Sequence, residues 1–259
     1  MAQVYDTVNI SGVKLSAPRS SKASAACKTA YITGSDGGRL SIQTPVMKLP
    51  WDIKPKQLDE NSNVSASLSL SFAGDDDDTR DFKNFLHAFD QHVKTLAKGM
   101  HESLGKKADP KVIEANFKES VKESNNGDYP PTFQSKIWLK QNEGGDPKCV
   151  DDFTMDVTVY DMKGNRVEHS DLKKGCPAAA IIQPMYVWCS TMGLGITWVT
   201  KQCIVKPMVS EGFAFKLGPK FDKYTEDDEP VAKKAKTESV ESTSEGSSSG
   251  EDPLENEEF

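Results

Sequence analysis

AAAIIQPMYVWCSTMGLGITWVTKQCIV, residues 178–205, decides the fold. Its halves, 178–189 and 195–205, are rich in β-branched and aromatic residues, and the short glycine-bearing link STMGLG lets them pair as a hairpin. Alternation along the first strand places Tyr186 and Trp188 on one face. On the second strand Trp198 points one way while Thr197, Val199 and Lys201 point the other. The residues flanking both indoles are mostly apolar, which assigns Trp188 and Trp198 to the wall or core of a β structure rather than to a surface platform.

Further β segments lie on either side of a helical stretch. Upstream, RLSIQT (39–44) and NVSASLSLSF (63–72) alternate so that Leu40 and Ile42, then Val64, Leu68 and Leu70, share single faces. Pro45, Pro50 and Pro55 punctuate the link between them, an irregular crossing loop holding Met47, Leu49 and Trp51. Downstream, FQSKIWLK (133–140) and FTMDVTVY (153–160) read as strands. In between, Phe82, Phe85, Leu86, Phe89, Val93, Leu96, Met100 and Leu104 recur at three- and four-residue spacing, predicting a long amphipathic helix that aspartates cap and Gly105 ends. A second helix is predicted from Pro110, capped by Asp109, to about Glu123, burying Val112, Ile113, Phe117 and Val121. Strands before and after an inserted helical pair make the fold mainly β (α+β), a closed or nearly closed barrel with two helices across one end.

Charge divides the chain. Residues 225–259 hold twelve acidic and three basic side chains, a net of −9, so with −7 overall the first 224 residues carry +2. The acidic, Ser/Gly-rich end cannot bury enough apolar surface to offset the entropy of ordering it, which predicts a disordered tail on a single folded domain, 1–224. From 237 to 259 the tail has eight acidic residues and no basic one. It closes on Glu255, Glu257, Glu258 and Phe259, offering a partner an anionic anchor and one apolar knob. Upstream of that, PVAKKAK places Lys233, Lys234 and Lys236 in a basic cluster of the kind nuclear import receptors read, although three lysines also merely temper a polyanion. Ser242, Ser248 and Ser249 each precede an acidic residue by three positions, the context of acid-directed kinases.

The five cysteines are odd in number and form no CxxC pair, which points to a reducing compartment rather than a disulfide framework or a zinc finger. No apolar run reaches membrane-spanning length and the N-terminus lacks signal-peptide character, so the expected setting is intracellular, with no membrane partner. No GxxxxGK[ST], GxSxG or HExxH occurs, and His87, His92, His101 and His169 show no ligand spacing. Neither catalysis, a cofactor nor a metal is indicated.

Binding chemistry is better represented. In FQSKIWLK, alternation sends Phe133, Ser135, Ile137 and Leu139 to one face and Gln134, Lys136, Trp138 and Lys140 to the other. An aromatic ring between two ammonium groups suits a single nucleic-acid strand, because a base stacks on the ring while the lysines neutralise phosphates. The alternative is an indole covered by the helices with two snorkelling lysines. Lys201 and Lys206, with Lys216, Lys220 and Lys223 beyond, extend a phosphate track or are ordinary surface lysines.

RLSIQTPVMKLPW followed far downstream by YVWCSTMGLGITWVTKQCIV resembles the strand signatures of single-stranded DNA-binding proteins of large nucleocytoplasmic DNA viruses, which are similar to those of short-tailed phages. The resemblance covers most of 1–224 loosely and those two segments more closely. It implies an oligonucleotide-binding (OB) barrel with inserted helices, binding of single-stranded DNA without sequence preference in replication, recombination or repair, and a tail that contacts a polymerase, a helicase or other subunits. The ending GEDPLENEEF meets the phage pattern, whereas the basic cluster inside the tail departs from it. Two other classes fit the same sequence: an acidic-tailed nuclear chaperone for basic proteins, and a virion structural protein.

Overall fold

The computed structural model describes residues 2–206 apart from 21–26, 58, 60–61, 75, 105–108, 125 and 192. The readings placed on 207–259 lie outside the described residues: the domain boundary at 224, the disordered tail, Lys233, Lys234 and Lys236, and the ending Glu255, Glu257, Glu258 and Phe259.

The first third holds β1 (Gln3–Val4), β2 (Lys14–Leu15), β3 (Arg19–Ser20), β4 (Lys28–Thr33), β5 (Ile42–Gln43), β6 (Met47–Lys48) and β7 (Ala66–Ser71). Helices α1 (Asp77–Gly99), α2 (His101–Leu104) and α3 (Pro110–Asn116) follow, then β8 (Phe117–Lys118), β9 (Val121–Lys122), β10 (Thr132–Ile137) and β11 (Leu139–Gln141). The last strands are β12 (Phe153–Met155), β13 (Thr158–Asp161), β14 (Pro177–Ser190) and β15 (Gly193–Val205). The protein is mainly β with one large sheet, as the alternation predicted.

That sheet closes on itself. β14 pairs antiparallel with β15, β15 parallel with β10, β10 antiparallel with β7, β7 with β6, and β6 with β14 again, so five strands form a hydrogen-bonded ring. Ring closure removes the exposed strand edges that would otherwise recruit other chains. Inside, Leu68, Leu70, Phe133, Ile182 and Trp198 are buried, each large side chain contributing about 1.5–3 kcal/mol of transfer free energy. The hairpin expected from STMGLG is present, with Ser190 opposite Gly193 and two register shifts along its length, at Ile181/Ile182 and Pro184/Tyr186.

Helix α1 starts where the aspartates predicted. Asp76 caps it, accepting from the Thr79 amide and hydroxyl at 2.8 Å each, and these donors hold its carboxyl below the usual range. Phe82, Phe85 and Phe89 face inward, and Phe89 and Phe133 pack on Trp198 with ring centroids 5.1 and 5.5 Å away. The helix breaks at Met100, and α2 carries Leu104 back into the core. Segment 153–160, read as one strand, is two: β12 pairs with β11 in a small separate sheet while β13 pairs with β15. Residues 39–44 supply only β5.

The second helix is shorter than predicted. It ends at Asn116, buries Ile113 and leaves Val112 exposed, and the chain then runs extended. Phe117 and Val121 are buried as expected, but from strands: Phe117 lies opposite Leu194, and Val121 opposite Phe133. The cause is a buried polar pin. Asp90 of α1 accepts from the Ser120 amide and hydroxyl, both at 2.7 Å, and Ser120 Oγ accepts from Trp198 Nε1 at 2.7 Å. A helical Ser120 would spend its amide on the carbonyl of Asn116; here a carboxylate takes it.

Burial pushes the Asp90 carboxyl up to about 6, opposed by the two Ser120 donors, with the Glu119 charge raising it and the Lys94 charge lowering it. A folded pKa above the ordinary 3.8 means that folding favours the proton, so the stability tied to this group is full below about pH 4 and is lost as pH rises through about 6. The difference of about two pKa units corresponds to roughly 3 kcal/mol. Asp90→Asn carries no such proton. Denaturant unfolding of both proteins should show wild type losing about 3 kcal/mol relative to the variant between pH 4 and 7. A pH-independent difference would contradict the buried, proton-seeking carboxyl.

Candidate nucleic-acid interface

β10 divides its side chains as the alternation predicted. Phe133, Ser135 and Ile137 are buried, while Lys136 is exposed and Gln134 half-buried on the other side, and Trp138, exposed, follows between β10 and β11. Register carries that outer face across the sheet, because directly paired residues point the same way. Lys136 lies beside Ser67 of β7 on one flank and Val199 of β15 on the other, and Val199 lies beside Gln183 of β14. Trp138 is 37% exposed, so the helices do not cover its indole. Lys136 has no ion pair among the described residues.

The other proposed lysines divide. Lys201 follows Val199, the partner of Lys136, by two residues along β15 and is half-buried. It is the extra residue of a bulge, since its neighbours Thr200 and Gln202 pair with the consecutive Ile182 and Ile181. Lys140 is exposed but lies on β11, where its Nζ sits 2.8 Å from Asp156 Oδ1, so its charge is partly neutralised. Lys206 is exposed past the end of β15, roughly 17 Å from Lys201 at about 3.3 Å per residue. The structure thus exposes Lys136 and Trp138 on one run of chain, half-buries Lys201 on the neighbouring strand, leaves Lys140 engaged and sets Lys206 apart.

Two cations went unread in the sequence. Lys118 and Lys122 fall in the stretch predicted as helix, yet in β8 and β9 both are exposed. Lys122 lies opposite Thr132 and donates to Gln134 Oε1, and Gln134 Nε2 in turn donates to Ser67 Oγ at 2.8 Å, so a polar network runs beside Lys136. The signal available was the repeated apolar–lysine step, Phe117–Lys118 and Val121–Lys122.

The two hairpin tryptophans also separate. Trp198 is 2% exposed and belongs to the core, as expected. Trp188 is half-buried on the outer face together with Tyr186, a residue of the wall rather than of the core. The register shift at Pro184/Tyr186 sets the two indoles on opposite sides of the hairpin.

Solved structures of phage single-stranded DNA-binding proteins resemble the chain. The gp2.5 protein of bacteriophage T7 aligns with a TM-score of 0.43 at 12% identity, over 69% of this chain and 98% of that one. The bacteriophage Enc34 protein in complex with single-stranded DNA aligns at 0.37 and 11%, over 75% and 93%. A further structure of the Enc34 single-stranded DNA-binding protein aligns at 0.34 and 12%, over 78% and 96%. No protein-family model matches the chain, and no curated protein does. Likenesses this distant leave the site to be read from this chain's own residues.

The histidines are occupied structurally: His92, His101 and His169 each meet a backbone carbonyl, of Val13, Lys98 and Val157, and His87 Nδ1 lies 3.6 Å from Glu119. Among the described residues no cluster of three His, Cys, Asp or Glu could hold a metal ion.

Proposed function

We propose that the chain is a single-stranded DNA-binding protein, built on an OB-like five-stranded barrel and acting stoichiometrically rather than as an enzyme. The observation that carries this reading is the exposed Trp138 just past the end of β10, two residues beyond the exposed Lys136, with Lys201 on the neighbouring strand β15. A base stacked on the indole leaves its phosphates within reach of the lysines, and every base has a π-face, so binding is indifferent to sequence. Lys140 and Lys206 extend the phosphate track at its margins. Such a protein coats unwound DNA in replication, recombination or repair.

The tail belongs to the same proposal. A folded body of +2 and a tail of −9 make residues 225–259 an intramolecular competitor for the groove until DNA displaces them. Glu255, Glu257, Glu258 and Phe259 then recruit a polymerase or helicase, and Lys233, Lys234 and Lys236 direct import into a host nucleus, as suits a protein of a large DNA virus. Deleting residues 237–259 should tighten binding to oligothymidine several-fold at low salt and steepen its dependence on salt, because salt also weakens the competing tail, read by titrating both forms at two salt concentrations. Unchanged affinity would remove tail competition. Binding of histones with no affinity for DNA in either form would replace the whole reading with a chaperone.

A further inference from the structure

A second aromatic station lies on the same outer face, at the far end of the β14–β15 hairpin. Five strands align there in one row: Arg19 of β3 opposite Thr29 of β4, Thr29 opposite Trp188, Trp188 opposite Gly195, and Gly195 beside Lys118 of β8. Paired residues share a face, so the indole stands between two small residues with a cation beyond each. Arg19 and Lys118 are exposed, and neither has an ion pair among the described residues.

Gly195 shapes the station. A Cβ at that position would lie 3.1 Å from Trp188 Cζ2 and 3.1 Å from the Cβ and carbonyl oxygen of Lys118, a tight fit, so the missing side chain gives the ring room across the β15 backbone. In the next row Tyr186 lies opposite Tyr31, their rings edge to face at 6.1 Å, and Tyr31 is 46% exposed. Three aromatic rings thus stand at this strand-pair end with two exposed cations that have no ion pair among the described residues.

We propose that Trp188, with Tyr31 and Tyr186 beside it and Arg19 and Lys118 flanking it, is a second base-stacking station for the same DNA strand that Trp138 holds. This rests on the single-strand reading above. Along β15 the Trp188 row, at Gly195, and the Lys136 row, at Val199, are four residues apart on opposite flanks of the strand, and Trp138 follows Lys136 by two residues more, which places the two indoles roughly 22 Å apart. Three stacked nucleotides cover about 10 Å, so a trinucleotide reaches one station only. A strand of about twelve nucleotides, within the usual site size of this barrel type, reaches both.

The test is the affinity of oligothymidines of three and about twelve nucleotides for the full chain, for Trp188→Ala and for Trp188→Phe, with thermal melts confirming that all three fold. The unaltered protein should bind the longer strand far more tightly than the trinucleotide. Trp188→Ala should lose about fivefold to 150-fold on the longer strand and flatten that length step, and Trp188→Phe should restore most of both. A length step that survives Trp188→Ala overturns the second station and leaves the single-strand reading standing. Failure of the unaltered protein to bind the longer strand overturns that reading, and this proposal with it.

Discussion

Replacing Trp198 with alanine should destabilise the protein by about 3–5 kcal/mol, the usual result for deleting a large buried aromatic. The indole is where three parts of the fold meet: Phe89 of α1, Phe133 of β10 and, through its Nε1, the Ser120 hydroxyl between β8 and β9. Its removal leaves a cavity and also takes a donor from the oxygen that bonds Asp90. Against a typical domain stability of about 5–15 kcal/mol this is a large fraction of the whole. Trp198→Phe keeps most of the ring contacts and loses only the N–H, so its cost should be about 1–3 kcal/mol. Urea unfolding of the three proteins reads the series. A Trp198→Ala midpoint close to wild type would show that the helix and the barrel are not joined through this residue.

The second large effect is on binding. Trp138→Ala should weaken oligothymidine binding by about 1–3 kcal/mol with the salt dependence unchanged, because a stacked base is lost and no phosphate contact is. Lys136→Ala should do the complementary thing, lowering the salt slope by about 0.7 as one condensed counterion fewer is released per complex. Lys136 is exposed, so its change should shift stability by no more than about 0.5 kcal/mol, whereas Trp138, 37% exposed, buries much of its ring and its removal should cost about 1–3 kcal/mol without unfolding the protein. Titrations at several salt concentrations separate the two signatures. Equal salt slopes and equal losses for both variants would contradict the division of labour between ring and ammonium.

Much of this arrangement is legible in the sequence. The β14–β15 hairpin, the capped aromatic helix α1 and the two-sided pattern of β10 all rest on local periodicity, and local periodicity is what a sequence displays. Segment 117–122 was misread for a definite reason. Phe117 and Val121 are four residues apart, the spacing of a helix face, and what overrides it is a hydrogen-bond partner thirty residues away, Asp90. Trp188 likewise answers to distant partners. Its neighbours in sequence are apolar, but its neighbours in space are Thr29 and Gly195, and the register shift that turns it outward is a property of the pairing rather than of the strand. Lys140 was placed on the right face, and only the fold reveals the Asp156 carboxylate that engages it.

The most direct test of the central claim is a titration of the unaltered full-length protein with fluorescent oligothymidine and with a duplex of equal length, at low and moderate salt. Tight, salt-sensitive binding to the single strand and much weaker binding to the duplex is the predicted result, because stacking on Trp138 requires an unpaired base while the lysines answer any phosphate backbone. Absence of binding to the single strand at low salt would contradict the account.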